Sequence, residues 1–282
     1  MLARTAPLLF VLLWSTGFLG AKLGLPHAAP LAFLLARYLA VLVLMTPIAL
    51  ASGAPWPRDG RQWFHIGVSG LLLHACYLGG VFVAIGLGLP AGVTALVVGL
   101  QPLLTATVAG RLLGERVLPR QWLGLVLGFI GVALVLSNRL GTGFGPVALV
   151  PAAFALVAIT GGTLYQKRFC PHFDWRSGAV AQFLPTAMVT AVAVFALDGY
   201  RIDWTGEFVF ALAWLVLVLS IGAISLLNWL IRHGSAVNVA SLFYLTPPTT
   251  ALLAWLFFGE SLTGIGLAGM AIAVWGVYLS RR

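Results

Sequence analysis

A single offset of 145 residues aligns the two halves of the sequence without any gap. At this offset Pro102 corresponds to Pro247. The other matches that weigh most involve glycine, glutamate and lysine: Gly17 with Gly162, Lys22 with Lys167, Gly114-Glu115 with Gly259-Glu260, Gly124 with Gly269 and Gly131 with Gly276. Chance explains matches of leucine, alanine and valine in an apolar chain, but not these. The sequence is therefore an internal duplication, with units at residues 1–137 and 146–281.

The composition places both units in a lipid bilayer. Hydrophobic residues make up 61% of the chain, charged residues 8%, and the mean hydropathy is +1.03. A soluble domain of this composition would lack a polar surface. Apolar stretches of about 20 residues, the length that crosses hydrocarbon as an α-helix, predict ten helices near residues 5–24, 30–51, 63–86, 90–111, 119–137, 146–166, 177–197, 208–231, 236–258 and 262–280. The alternation typical of a membrane β-barrel is missing, so we expect an all-α integral membrane protein.

Five helices in each unit make the predicted topology inverted. After an odd number of crossings the second unit enters the membrane from the opposite side, so an axis in the membrane plane relates the two repeats. Secondary transporters are commonly built in this way, with the substrate near the midplane between the repeats and two related states that give alternating access. A duplicated bundle with a purely structural role is the alternative.

The basic residues predict which side of the membrane holds the termini, because cytoplasmic loops carry an excess of lysine and arginine. The side of the N-terminus holds twelve of the 16 basic residues: Arg4, Arg58, Arg61, Arg111, Arg116, Arg120, Lys167, Arg168, Arg176, Arg232, Arg281 and Arg282. The opposite side holds Lys22, Arg139 and Arg201, and Arg37 lies inside the second helix. We therefore expect both termini in the cytoplasm. Topology and anionic lipid explain the net charge of +9 without a nucleic-acid partner.

Several short motifs resemble the EamA family of the drug/metabolite transporter superfamily. They are Trp14-Ser15-Thr16-Gly17 with Lys22, then Arg37, then Gln101-Pro102 with Gly114-Glu115-Arg116, and finally Pro247 with Gly259-Glu260-Ser261. In this order they cover nearly the whole chain as two tandem units. The resemblance implies a ten-helix, multi-pass carrier of the bacterial inner membrane, often an exporter of amino acids or other small metabolites. Gln182 stands in the second unit where Arg37 stands in the first. The second unit therefore departs from the pattern of the first, which argues against a symmetric role for this arginine.

The prolines Pro102, Pro247 and Pro248 lie halfway along the fourth and ninth predicted helices, at equivalent places. Proline removes a backbone donor and opens the helix, and paired breaks of this kind point to a transport site. Simple kinking is the alternative. We expect the substrate to contact polar and aromatic side chains around these breaks: His74, Tyr77, Gln101, Thr246, Trp14, Tyr244 and Asn228. Each of these residues also has an alternative role in ordinary core packing.

Three basic residues are candidates for coupling or gating. Lys22 and Lys167 occupy equivalent helix ends, and Arg37 lies about two turns inside the second helix. Charges at membrane depth are costly and usually functional. The lysines can alternatively reach the lipid headgroups, and Arg37 can pair with carbonyl groups or a carboxylate. Glu115 and Glu260 precede helices, and we expect each to stabilise the N-terminus of the helix that follows it.

The sequence gives no support to an enzyme. It has no P-loop, GxSxG or HExxH motif and no paired catalytic carboxylates, and it shows neither a cluster of metal ligands nor a cofactor motif. Without a Walker motif, transport must be driven by gradients. We expect a secondary transporter, acting as a monomer or homodimer among membrane lipids, that moves a small-molecule substrate such as an amino acid or related compound, with export as the expected direction. A scaffold or sensor without transport activity and a drug or cation efflux carrier are the alternatives.

One accessible cysteine can test the predicted topology. With Cys76 and Cys170 replaced, Arg201→Cys should react in intact cells with a thiol reagent that cannot cross the membrane, because its loop is predicted to face outwards. Arg58→Cys is the matched control on the other side and should react only after permeabilisation. The reverse labelling pattern would exclude this topology.

Overall fold

The computed structural model describes residues 2–89, 91–137, 145–259 and 262–281. Regular structure in these ranges is helical, apart from one isolated bridge between Ala28 and Ile202. Eight helical stretches there are long and apolar enough to cross a membrane: Pro30–Ala51, Gly60–Gly86, Val93–Leu113, Pro119–Leu136, Pro146–Phe169, Trp175–Leu197, Gly206–His233 and Ala236–Phe257. Two shorter apolar stretches are Thr5–Gly17 and Gly264–Ser280. The predicted class, an all-α membrane protein, is supported, whereas the described helices that meet the length criterion number eight rather than ten.

The helices fall into two series separated by the region before residue 145. The first series is α1 (Leu2–Gly24), α2 (Pro30–Ala51), α3 (Gly60–Gly70), α4 (Tyr77–Gly86), α5 (Ala91–Val98), α6 (Gln101–Leu113) and α7 (Pro119–Leu136). The second is α8 (Leu149–Phe169), α9 (Trp175–Ala193), α10 (Gly206–Trp214), α11 (Ile224–His233), α12 (Ala236–Ser241), α13 (Thr246–Phe258) and α14 (Gly264–Ser280).

Short irregular helices connect or extend some of these elements. A π-helix at Leu71–Cys76 joins α3 to α4, and another at Leu215–Ala223 joins α10 to α11. A third follows α9 at Val194–Asp198, and a 3₁₀-helix at Leu242–Leu245 joins α12 to α13. The first two π-helices overlap at the 145-residue offset, so the duplicated sequence is accompanied by duplicated local geometry.

Side-chain caps set where several helices begin. The residues that accept a hydrogen bond from a backbone N–H of the first turn are Asp59, Asp174, Thr205, Ser235 and Thr263. Such residues satisfy donors that have no partner inside the helix. Asp174 also receives a side-chain hydrogen bond from Arg176, which lowers the pKa of the Asp174 carboxyl group.

Helices α7 and α14 pack together in an antiparallel pair through their glycines. A Cβ atom built on Gly269 would lie 2.7 Å from the carbonyl oxygen of Gly131, and one built on Gly124 would lie 2.5 Å from that of Gly276. The early part of each helix thus meets the late part of the other, with the backbones in direct contact. Small residues permit this approach in membranes. The structure uses these glycines for packing within the chain.

Large apolar side chains cover much of the remaining surface. Val43, Phe195 and Leu197 are 72%, 78% and 80% exposed. In water such a surface would be a liability, but in a bilayer it faces lipid tails that are equally apolar. The core lies inside this layer, where α2 and α9 pack around Tyr38 and Phe183.

The glycine contact between α7 and α14 predicts a sharp difference between two alanine substitutions. Gly131→Ala should lower the free energy of unfolding by about 1–3 kcal/mol, because its methyl group would overlap the α14 backbone. Gly161→Ala in α8 is the matched control, since a Cβ atom there meets nothing within 4 Å. Thermal unfolding of the purified variants in detergent measures both, and equal melting temperatures would contradict the packing described.

Candidate functional site

A cavity of ≈ 110 Å³ lies between helices of both series. Its wall includes Arg37 of α2, and we call it the Arg37 cavity. The first series also contributes Trp14, Gly17, Ala21, Tyr77, Leu78, Val81, Phe82, Ile85, Thr94, Ala95, Val98, Gly99 and Val132, and the second contributes Leu215, Leu219, Phe243, Tyr244, Thr246 and Pro247. The cavity therefore exists only because the two units are packed against each other.

Aromatic rings form much of the polarisable wall of the Arg37 cavity. Trp14 and Phe243 meet edge to face, with ring centroids 5.3 Å apart and planes at 86°. Tyr77 and Tyr244 are both buried and line the same space. No described residue hydrogen-bonds the hydroxyl of Tyr244 or that of Thr246. Flat apolar surfaces with a few unused polar groups are typical of small-molecule sites.

Arg37 is the one charged side chain among the described residues of this wall. It is 5% exposed, and its Nε donates a hydrogen bond of 2.8 Å to Ser220 Oγ. Within the described ranges no carboxylate forms an ion pair with it; the acidic side chains described there are Asp59, Glu115, Asp174, Asp203 and Glu207, close to helix ends. A guanidinium at membrane depth without a counter-charge is costly, which favours a functional role over a structural ion pair.

Both proline sites coincide with interruptions of helical structure beside the cavity. Helix α5 ends at Val98, and α6 begins at Gln101 with Pro102 in its first turn. In the second series the 3₁₀-helix Leu242–Leu245 precedes α13, which begins at Thr246 with Pro247 and Pro248. Proline cannot donate to the carbonyl four residues before it, so the regular helix stops on its N-terminal side. Val98 and Gly99 at the first interruption, and Phe243 and Tyr244 within the 3₁₀-helix, all line the Arg37 cavity.

The structure separates the residues predicted to contact substrate into two groups. Trp14, Tyr77, Tyr244 and Thr246 line the Arg37 cavity, together with Arg37 and Pro247. His74, Gln101 and Asn228 are buried but lie outside its wall. The side chain of Lys22 lies outside the described part of the chain.

His74 and Tyr77 face different surroundings although three residues separate them. The ring of His74 stacks on Phe183 of α9, with centroids 4.4 Å apart and planes at 9°, whereas Tyr77 lines the cavity. An α-helix would place them on one face. The π-helix Leu71–Cys76 lies between α3 and Tyr77, and its wider i→i+5 turn changes that relation.

Asn228 belongs to a closed ring of three buried amides, which we call the amide ring. Gln166 Nε2 donates to Asn228 Oδ1 at 2.9 Å, Asn228 Nδ2 donates to Gln182 Oε1 at 3.3 Å, and Gln182 Nε2 donates to Gln166 Oε1 at 3.1 Å. Gln182 also donates to Ser69 Oγ at 3.0 Å. Sequence reasoning missed this ring. The available signal was the alignment of Gln182 with Arg37, since a polar residue recurs there in both units.

Lys167 and Glu115 form a second polar cluster beside the start of α12. Lys167 Nζ lies 3.8 Å from Glu115 Oε1 and donates to the carbonyl oxygens of Ile231, at 3.2 Å, and Gly234. The carboxylate of Glu115 accepts the backbone N–H of Ala236 at 2.9 and 3.1 Å. Lys167 is therefore tied to the protein in this structure, rather than only reaching towards headgroups.

Glu115 stabilises a different helix from the one predicted. The sequence suggested the N-terminus of the following helix, α7, but the carboxylate caps α12 of the second series. Two local features explain this. Gly114 ends α6 in a left-handed conformation with φ 70°, which turns the chain, and Gln121 already accepts the Leu118 N–H at the start of α7, at 2.9 Å. Glu260, its counterpart, lies outside the described residues.

Comparison with known proteins identifies the class of this protein. The model of the EamA-like transporter family matches residues 4–137 and 147–282, and the chain belongs to this family. It is 29% identical to "Uncharacterized transporter YvbV" of Bacillus subtilis, over 98% of this chain and 91% of that protein.

Two Escherichia coli K12 proteins are 26% identical to this chain. They are "Uncharacterized inner membrane transporter YedA", aligned over 95% of this chain and 87% of its own length, and "Probable amino-acid metabolite efflux pump", aligned over 97% and 92%. A crystal structure with a TM-score of 0.80 covers 98% of this chain and 95% of its own, at 21% identity. That likeness supports the fold alone.

The Glu115 cap predicts a stability effect that an exposed glutamate should not show. Glu115→Ala should lower the free energy of unfolding by about 1–3 kcal/mol, because the N-terminus of α12 loses its acceptor and Lys167 its carboxylate. Glu207→Ala is the control, since Glu207 is half exposed and its carboxylate lies 3.4 Å from His27, which is at the end of a short helix rather than at a buried helix start. Thermal unfolding decides, and equal losses would contradict the described cap.

Proposed function

We propose that this protein is a secondary transporter that moves a small metabolite across the inner membrane by alternating access, with the Arg37 cavity as its substrate site in one of the two states. The observation that carries the proposal is Arg37, which lies between aromatic walls at the junction of the two units and forms no ion pair with a carboxylate of the described residues. A structural bundle has no use for a buried cation without a counter-charge. A carrier for an anionic group does, because the substrate supplies the missing charge.

The architecture proposed for this cycle is ten spans in two inverted five-helix repeats, at residues 1–137 and 146–281. The packing of α7 and α14 supports it. These helices occupy equivalent places at the 145-residue offset, yet their glycine contacts make them antiparallel, as expected when one repeat enters the membrane from the opposite side. The matching π-helices and the left-handed Gly114 and Gly259, with φ 70° and 63°, add further support.

The wall of the Arg37 cavity favours an amino acid or a related carboxylate as substrate. Arginine binds carboxylates through paired hydrogen bonds, the aromatic rings suit an apolar side chain, and the hydroxyls of Tyr244 and Thr246 can accept hydrogen bonds from an ammonium group. A relative named as an amino-acid metabolite efflux pump agrees with this chemistry and with export. A drug or cation carrier fits less well, since no carboxylate is found among the described lining residues.

Liposomes containing the purified protein separate this function from a scaffold or sensor. A carrier exchanges labelled for unlabelled substrate in counterflow, whereas a scaffold or sensor shows no saturable flux. A thermal-shift screen with amino acids should come first, because a ligand that prefers the folded state raises the melting temperature. Lack of any counterflow across the amino acids that shift the melting temperature would exclude the carrier.

A matched set of ligands tests the role of Arg37. We expect phenylalanine to bind more tightly than phenylalaninamide or phenethylamine, which share its ring but lack the carboxylate. Arg37→Gln should weaken phenylalanine binding at least about tenfold, the effect of losing about 1.4 kcal/mol, and should remove the preference for the acid. Arg37→Lys keeps the positive charge and is the control. This variant should retain part of the preference for phenylalanine over the two ligands without a carboxylate. If Arg37→Gln keeps the full preference, the carboxylate is bound elsewhere.

A further inference from the structure

The walls of the Arg37 cavity have counterparts in a buried part of the protein. At the 145-residue offset several lining residues correspond to buried polar residues of the other unit: Arg37 to Gln182, Thr246 to Gln101, Leu219 to His74 and Ala21 to Gln166. All four counterparts were set apart above, His74 and Gln101 because they do not line the cavity and Gln166 and Gln182 because they belong to the amide ring. They share one property, which is their equivalence to residues of the Arg37 cavity.

Some buried polar groups of this region form no hydrogen bond with the described residues in the present conformation. Gln101 is fully buried, and neither atom of its amide has a hydrogen-bond partner among the described residues. The hydroxyl of Thr105, one turn after Gln101, also has no partner there. Buried polar groups without partners destabilise a protein. Apolar side chains would pack better, so these groups point to a second state in which water or a ligand reaches them.

The amide ring and the Lys167–Glu115 cluster link helices that would have to separate for such an opening. Both connect separate helices: the ring joins α8, α9 and α11, and the cluster joins α8 to the end of α6 and the start of α12. The amides satisfy one another while the region is closed. When the helices separate, water or a ligand can replace each of these hydrogen bonds, so opening exchanges hydrogen bonds rather than losing them.

We propose that Gln101, Gln166, Gln182 and His74 form the wall of a second cavity, which opens towards the Lys167–Glu115 cluster and binds the substrate in the opposite state of the cycle. This proposal rests on the alternating access proposed above. The second cavity offers amide donors and acceptors, which suit a small polar molecule, instead of the guanidinium of Arg37. The amide ring holds it closed in the present conformation.

Cysteine reporters at two equivalent alanines test the proposal. Ala95 lines the Arg37 cavity, and its counterpart Ala240 is fully buried. In protein with Cys76 and Cys170 replaced by alanine, Ala240→Cys should react with a hydrophilic maleimide faster than Ala49→Cys, a fully buried alanine of α2 that corresponds to no lining residue. Nanodiscs expose both faces, so the result does not depend on the orientation of the protein in the membrane.

Opening the amide ring should change these rates selectively. Gln182→Leu keeps the volume but removes the amide, and it should raise the labelling rate of Ala240→Cys by about fivefold, the effect expected for one net hydrogen bond, without raising that of Ala95→Cys or Ala49→Cys. Gln166→Leu breaks the same ring and is the second variant to use if Gln182→Leu does not fold. Calorimetric unfolding and gel filtration verify that each variant is folded.

Two outcomes would overturn the second cavity. One is labelling of Ala240→Cys no faster than that of Ala49→Cys, both in the parent and after the ring is broken. The other is an equal rise at all three reporters, which indicates general loosening. Counterflow of the parent protein in liposomes is scored separately. Activity with an inert Ala240→Cys would leave the transport proposal intact, whereas selective labelling without counterflow would leave the opening intact and reject the carrier.

Discussion

Every backbone N–H and C=O inside hydrocarbon needs a partner within the protein, and this requirement explains both the regular and the irregular parts of the chain. Regular helices satisfy it along most of the described length. One exception is the π-helix Val194–Asp198 at the end of α9. Four others border or contain residues of the Arg37 cavity: the π-helices Leu71–Cys76 and Leu215–Ala223, the interruption after Val98, and the 3₁₀-helix Leu242–Leu245. Irregular backbone at membrane depth is tolerated where it is buried in protein or lines a cavity, and these four segments lie where the site is.

The same requirement applies to polar side chains, and two groups of them differ in how far they satisfy it. Gln166, Gln182 and Asn228 bond to one another, so that the amide nitrogen and oxygen of each residue have a partner. Around the Arg37 cavity, by contrast, the side-chain hydrogen bond described for the guanidinium of Arg37 goes to a neutral serine, Ser220. The hydroxyls of Tyr244 and Thr246 have no hydrogen-bond partner among the described residues. A satisfied cluster stabilises one conformation, whereas an unsatisfied one is prepared for a ligand. This difference distinguishes side chains that are candidates for stabilising one conformation from side chains that are candidates for binding a ligand.

The sequence predicted the features that depend on local chemistry and on the repeat. The helical membrane class follows from composition, and the interruptions at Pro102 and Pro247 follow from the missing proline N–H. The different surroundings of His74 and Tyr77 could not be predicted, because a π-helix has no residue signature comparable to proline. Nor could the cap that Glu115 places on α12, since that partner is brought close only by tertiary packing. The charge-based topology stays a prediction, as do the functional roles of Arg37, Lys167 and Lys22.

The two units differ at several positions that line the Arg37 cavity. The glycines and prolines that set backbone geometry coincide at the 145-residue offset. At the same offset, however, Arg37 corresponds to Gln182, Trp14 to Ile159 and Tyr77 to Gly222. Identical cavities would bind a substrate equally well in both states, and a ligand with equal affinity for two states shifts neither population. Unequal walls remove this balance. An anionic substrate would favour the state in which the guanidinium is open to it, so the divergence of these few positions determines which state predominates when the proposed carrier is loaded.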